Sequence, residues 1–280
     1  MTATTMAGTH ELRADAVRFA YDGRVVIDDL TLSIPAGKIT VIVGPNACGK
    51  STLLKGVARL LRPTAGRVTL DGTDLHGIPT KKLATLIGLL PQQPIAPDGI
   101  TVGDLVARGR YPHQGWFAQR TAADDAVVDH SLAATGSLEL AGRRVEELSG
   151  GQRQRVWISM ALAQEPDILL LDEPTTFLDV THQIDVLDVL LDLNRTRATT
   201  IVMVLHDLNL AARYADRLVV MASGRIVTEG APAEVLTAAT VKAAFGLDSL
   251  VVEDPVCGSP MVVPIGRFHG DAGSANFPIQ

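Results

Sequence analysis

The sequence predicts an α/β protein: buried strands alternate with helices, an antiparallel β region lies near the N-terminus, and a helical insertion interrupts the middle. Three observations predict it. Runs of strand length and unbroken apolar character recur at ITVIVG (39–44), ILLL (168–171) and TIVMVL (200–205), as strands covered on both faces require. ELRADAVRFAYDG (11–23) instead alternates small or apolar residues with polar ones, the pattern of a half-buried strand. Residues 94–165 are rich in helix formers and contain no strong buried strand.

Taken in order, residues 11–35 read as strands, with Asp22-Gly23 a turn signal between two of them. The run at 39–44 enters a Gly-rich loop and then a helical stretch, STLLKGVARLL, closed by Pro63. GRVTLDG (66–72) is a further short strand. After the insertion, DILLLDEP (167–174) returns to a buried strand, and QIDVLDVLLDLNR is helical with Ile184, Leu187, Leu190 and Leu191 on one face. RLVVMASGRIVTEG predicts a hairpin around Ser223-Gly224. The stretch 247–280 reads as a separate extension, a small hairpin turning at 254–260 and a mobile end after Gly266.

Bulk properties exclude several functions. A net charge of −6 argues against a general nucleic-acid binder, which needs a basic footprint to offset phosphate charge. Cys48 and Cys257 form no C-x-x-C pair, so a disulfide framework is not expected and a reducing compartment fits. No two of the seven histidines have zinc-motif spacing, and no structural metal is expected. The opening MTATTMAGTHELRADAV lacks a basic cluster followed by an apolar stretch and does not read as a signal peptide. No run approaches 18 apolar residues, so any work at a membrane is expected to go through a partner.

Two segments carry the chemistry. GPNACGKS (Gly44–Ser51) matches G-x-x-x-x-G-K-[ST], follows a buried strand and opens a helix, as a phosphate cradle requires. Its glycines let backbone N–H groups turn inward around phosphate oxygens, and the helix N-terminus adds positive dipole. Lys50 would neutralise phosphate charge, and the Ser51 hydroxyl would ligate Mg2+. Within the loop, Cys48 stands either as a thiol made reactive by the helix N-terminus or as a small residue with no chemical role. The second segment, ILLLDE, ends a buried strand with Asp172 and Glu173, where α/β folds bind ligands. One carboxylate there can hold magnesium while the next polarises a water.

LSGGQRQR (148–155) lies shortly before that acidic strand. With it, the chain resembles the ATP-binding subunits of ABC transporters over about residues 11–240, the ATPase domain, with 94–165 its helical insertion and 241–280 a C-terminal extension. The resemblance implies a P-loop NTPase (RecA-like) core. It implies that ATP and Mg2+ are bound by Gly44, Pro45, Asn46, Ala47, Cys48, Gly49, Lys50, Ser51 and Thr52. Ser149, Gly150, Gly151 and Gln152 form a second anion-binding nest at a helix N-terminus. That nest is implied to act on the nucleotide of a second subunit, making a head-to-tail dimer, expected to be a homodimer, part of catalysis. Tyr21 matches the aromatic that stacks on adenine, and Gln92, with Gln93 as the alternative, matches the glutamine that senses magnesium and water. TTFLD (175–179) matches a loop that crosses the dimer interface; Asp179 is retained, and Phe177 stands where a small residue is usual. His206 matches the histidine at the γ-phosphate. The implied catalytic set is Glu173 as base with His206, Gln92 and Lys50, and the implied metal set is Ser51, Gln92 and Asp172.

PQQPIAPDGITVGDLVARGRYPHQGWF (91–117) is similar to the same stretch of importer ATPases for ferric siderophores, haem and cobalamin, and DPVCGSPMVVPIGR (254–267) to the end of iron-siderophore members. The resemblance thus implies uptake through integral-membrane permease subunits, served by an extracytoplasmic binding protein, with this chain peripheral on the cytoplasmic side. Haem, cobalamin, an export substrate, and a soluble ABC ATPase of translation or DNA repair remain as alternatives. Tyr111, Trp116 and Phe117 could dock a permease helix or be the insertion's own core.

Overall fold

The computed structural model describes residues 10–115 and 120–266. Trp116 and Phe117, and the end after Gly266, lie outside the described residues.

The alternating N-terminal segment forms β1 (Leu12–Tyr21) and β2 (Arg24–Ile34), joined by Asp22 and Gly23 at φ 47° and 82°. These two positive φ values make the twist-compatible two-residue turn that Asp-Gly favours. The next elements are β3 (Ile39–Val43), α1 (Lys50–Val57), β4 (Ala65–Leu70), β5 (Thr73–Asp74), α2 (Thr80–Leu86) and β6 (Ile87–Leu90). The insertion supplies α3 (Val102–Ala107), α4 (Ala122–Ala134) and α5 (Gly150–Ala163). The chain continues through β7 (Ile168–Asp172), α6 (Val180–Arg197), β8 (Thr200–Val204), α7 (Leu208–Tyr214), β9 (Arg217–Ala222) and β10 (Arg225–Gly230). It closes with α8 (Pro232–Val235), α9 (Ala238–Phe245), β11 (Ser249–Glu253) and β12 (Pro260–Pro264).

The central sheet has the order β10-β9-β3-β8-β7-β6, parallel except where β10 returns antiparallel on β9. Its inner strands β3, β7 and β8 are buried along their whole length and mostly apolar, because they separate two cores. Ile39, Val41 and Val43 face one core and Ile42 the other; Leu169 and Leu171 oppose Ile168 and Leu170 in the same way. The first core is capped by α3 to α6. The second is closed by α1 and by the antiparallel sheet β2-β1-β4-β5.

Several elements depart from the sequence reading. The first helix stops at Val57 rather than running to Pro63, because Arg59 adopts φ 63°. Its guanidinium then donates to the carbonyls of Leu75 and Ile78 and to Thr80 Oγ1, a tertiary gain that outweighs the four further residues of helix through Leu61. β6 is an edge strand of the central sheet that the reading did not separate from its surroundings. On α6, Val186, Leu187 and Leu190 are fully buried, whereas Ile184 and Leu191 sit at the margin of that face.

The insertion is pinned by one buried cation. Arg110 Nε donates to Asp124 Oδ1 at 3.0 Å, and its Nη1 reaches Ala163 O and Glu165 Oε2, each at 2.8 Å. The extension packs back onto the catalytic side: Val262 of β12 is 6% exposed and shares a buried cluster with Leu205 and Ala211. No helix among the described residues is long and apolar enough to cross a membrane.

Candidate active site

A cleft of about 970 Å³ opens at the C-terminal ends of β3, β7 and β8. Asn46 to Thr52 form its floor, and Tyr21, Gln92, Glu173 and His206 line its walls. Gly44 and Pro45 lead into it from β3.

Glycine is obligatory at the entrance. A Cβ on Gly44 would lie 2.2 Å from the Met221 carbonyl oxygen and 2.8 Å from Cys48 Sγ. Backbone cannot yield that distance, so Gly44→Ala is expected to cost about 1–3 kcal/mol of stability and to weaken nucleotide binding. Chemical denaturation and a nucleotide titration check this; wild-type behaviour in both would show that the loop can shift without loss.

Further along the loop, Ala47 and Gly49 take φ 59° and 109°, turning the backbone before α1 begins at Lys50. Lys50 is 5% exposed, and its ammonium donates to Gly44 O at 2.8 Å and Pro45 O at 3.0 Å. The loop also receives support from the β9–β10 turn, where Gly224 N donates to Cys48 O at 2.9 Å. Cys48 is buried, and that burial pushes its thiol pKa up against the opposing pull of Lys50. The structure therefore favours the reading of Cys48 as a small packing residue.

Asp172 ends β7 only 3% exposed and accepts a hydrogen bond from Ser51 Oγ at 2.9 Å. Burial raises its pKa, opposed by that hydrogen bond and reinforced by the neighbouring Glu173. A desolvated carboxylate beside a hydroxyl, with no contacting cation among the described residues, is a donor set that suits magnesium.

Glu173 is 8% exposed and held at φ 55°, an unusual conformation for a non-glycine residue. Its carboxylate meets three side chains. Gln92 Nε2 donates to Oε2 at 2.7 Å, Thr176 Oγ1 donates to Oε2 at 3.2 Å, and His206 Nε2 lies 2.5 Å from Oε1. The neighbouring Gln93 is exposed and has no such contact. Tyr21 stands at the outer rim, partly exposed, beside Arg24, Val25 and Val26.

The signature segment lies elsewhere. Ser149 caps α5: its Oγ accepts from Gln152 N at 3.3 Å, and Gln152 Oε1 accepts from Ser149 N at 3.1 Å. Ser149, Gly150, Gly151 and Gln152 line no part of the cleft of their own chain. Asp179 is likewise outside it, capping α6 and accepting from His182 N at 3.0 Å and His182 Nδ1 at 2.7 Å. Between them runs the 175–179 loop. Leu178 is buried, whereas Phe177 is 72% exposed at φ 68° with its carbonyl against Gly151.

The residues that sequence reading missed are Arg24 to Val26, Thr176 and the Ser223-Gly224 turn. The turn signals at 22–23 and 223–224 were readable, but their convergence on the phosphate loop is a tertiary fact.

Residues 27–176 match the ABC transporter family model. The chain belongs to that family. It is an ABC-type ATPase, and its relatives are close. It is 53% identical over 247 residues to the achromobactin transport ATP-binding protein CbrD of Dickeya dadantii (strain 3937), covering 88% of this chain and 92% of that one. It is 49% identical over 256 residues to the ferric enterobactin transport ATP-binding protein FepC of Escherichia coli (strain K12), covering 91% and 94%. Among solved structures it resembles the dimeric post-hydrolysis state of the ATP-binding cassette MJ0796 bound to ADP and Pi. That match has a TM-score of 0.71 at 26% identity and covers 79% of this chain and 98% of that one.

Proposed function

We propose that this ABC ATPase is the energy-coupling subunit of a ferric-siderophore importer, peripheral on the cytoplasmic face of the membrane. It pairs with a second copy of itself and drives separate permease subunits fed by an extracytoplasmic binding protein. The observation that carries the catalytic reading is the convergence of Gln92, Thr176 and His206 on one buried carboxylate, Glu173, across the cleft from Lys50. The siderophore reading is supported by relatives near 50% identity whose names specify achromobactin and ferric enterobactin transport.

In this reading residues 11–240 are the ATPase domain and 241–280 a C-terminal extension, whose β11–β12 hairpin packs against it. Tyr21 stacks on adenine, and residues 44–52 hold the phosphates through backbone N–H groups and the Lys50 ammonium. A magnesium ion held by Ser51, Asp172 and Gln92 would neutralise charge on the β- and γ-phosphates. Glu173 takes the proton from the attacking water, and His206 and Gln92 hold that water and the γ-phosphate in line. The partner copy closes the site with its Ser149–Gln152 helix N-terminus, and Asp179 of the loop beside it lies at the same interface.

Uptake of radiolabelled iron–siderophore by cells lacking this chain, complemented with wild type or Glu173→Gln, tests the whole reading. Rescue by wild type alone is the expected result. Unchanged uptake in the deletion strain, with no redundant importer active, discards the siderophore and leaves haem and cobalamin as the next substrates to assay.

A further inference from the structure

His206 sits just past β8 with nearly half of its side chain exposed, so core packing does not fix its direction. Its polar side-chain contact among the described residues is Glu173 alone. The imidazole is therefore aimed by the backbone on either side of it. On the upstream side Leu205 N donates to Ile42 O at 3.2 Å, anchoring the end of β8 to β3. Downstream, Asp207 caps α7, its Oδ1 accepting from Asn209 N at 2.8 Å and Leu210 N at 2.9 Å.

A seven-residue helix has little stability of its own, so α7 depends on what grips it. The grip comes from the C-terminal hairpin. Asn209 pairs with the β12 backbone in both directions: its Oδ1 accepts from Val262 N at 2.7 Å and its Nδ2 donates to Val262 O at 3.3 Å. One turn on, Arg213 Nη2 donates to Asp254 Oδ2 at 2.6 Å, and Asp254 is 4% exposed. Asp254 also organises the hairpin turn, accepting from Val256 N at 2.8 Å. The path from β12 to the catalytic histidine is thus Val262, Asn209, the Asp207 cap and His206, with two residues, Asp207 and Leu208, between its helical anchor and the imidazole.

We propose that the β11–β12 hairpin braces His206, and that Asn209 is the positioning residue through which it acts; this rests on the reading of His206 as the group that holds the γ-phosphate and water. The phosphate loop belongs to β3 and α1, which Asn209 and Val262 do not hydrogen-bond, so the brace governs the chemical step and leaves nucleotide affinity alone.

The test uses the full-length chain and steady-state and single-turnover ATP hydrolysis. Asn209→Leu, nearly the same in shape, removes both hydrogen bonds and is expected to lower kcat by roughly 10-fold through misplacement of His206, with KM for ATP unchanged. If that variant does not fold, Asn209→Asp keeps the acceptor for Val262 N, loses the donor and carries the same measurement. In a His206→Ala background the Asn209 substitution is expected to change kcat no further, because both act through one group. An equal loss in both backgrounds, a rise in KM matching the fall in kcat, or no loss in the single variant overturns the brace. Wild-type turnover by His206→Ala alone instead sinks the reading of His206, and the brace with it, so the two failures are told apart by one variant.

Discussion

Replacing Glu173 by Gln is expected to leave ATP binding intact while lowering turnover by roughly 10³-fold, within the range that a positioned general base contributes. The substitution keeps shape and most contacts. An amide oxygen at Oε2 still accepts from Gln92 and Thr176, and an amide nitrogen facing His206 can donate to an unprotonated Nε2. Only the ability to take a proton from water is lost. Because Lys50 and the phosphate loop are untouched, the variant should bind nucleotide as wild type does. In the proposed dimer it should also accumulate with ATP bound, since the Ser149–Gln152 nest, which lines no part of its own cleft, would meet the nucleotide of the partner copy. Single-turnover hydrolysis and size-exclusion chromatography in ATP read the two effects separately. Near-normal hydrolysis would remove Glu173 from the role of base.

How much of this was legible in the sequence depends on how local each feature is. The phosphate loop, the acidic end of β7 and the Ser149 cap are each written in consecutive residues, and each could be placed on its strand or helix before any coordinates. The two turns Asp22-Gly23 and Ser223-Gly224 were legible for the same reason. β6 was not, because a four-residue strand that follows α2 without a turn residue has no period of its own. The early end of α1 depends on Arg59 finding carbonyls 16 and 19 residues away, and no propensity carries that information. The docking of the extension was hidden likewise, since Asn209 and Val262 meet across 53 residues. In the site itself the residue types were readable, but Thr176 as a third partner of Glu173 appears only once the chain turns back at φ 55°.

Lys50→Ala should behave differently from Glu173→Gln, losing binding and turnover together. Lys50 is 5% exposed, and among the described residues its ammonium is bonded only to two carbonyls of its own loop and contacts no carboxylate, so its positive charge is held ready inside the cradle. A phosphate entering the loop supplies the missing anion, and the contact becomes a charge-assisted hydrogen bond in a desolvated setting. Truncating one partner of such a pair costs about 2–5 kcal/mol, or roughly 30- to 5,000-fold in Kd. The loss has a second source, because Gly44 O and Pro45 O lose their internal donor and the loop loses part of the restraint that shapes it before nucleotide arrives. Calorimetric titration with ATP measures the affinity, and a thermal melt without nucleotide shows whether the fold survives. A folded Lys50→Ala protein that binds ATP as wild type does would mean that the backbone N–H groups and helix dipole alone hold the phosphates. In the proposed reading the contrast between the variants separates two parts of the cleft: the floor, built on β3 and α1, would bind, and the ends of β7 and β8 would carry the reaction.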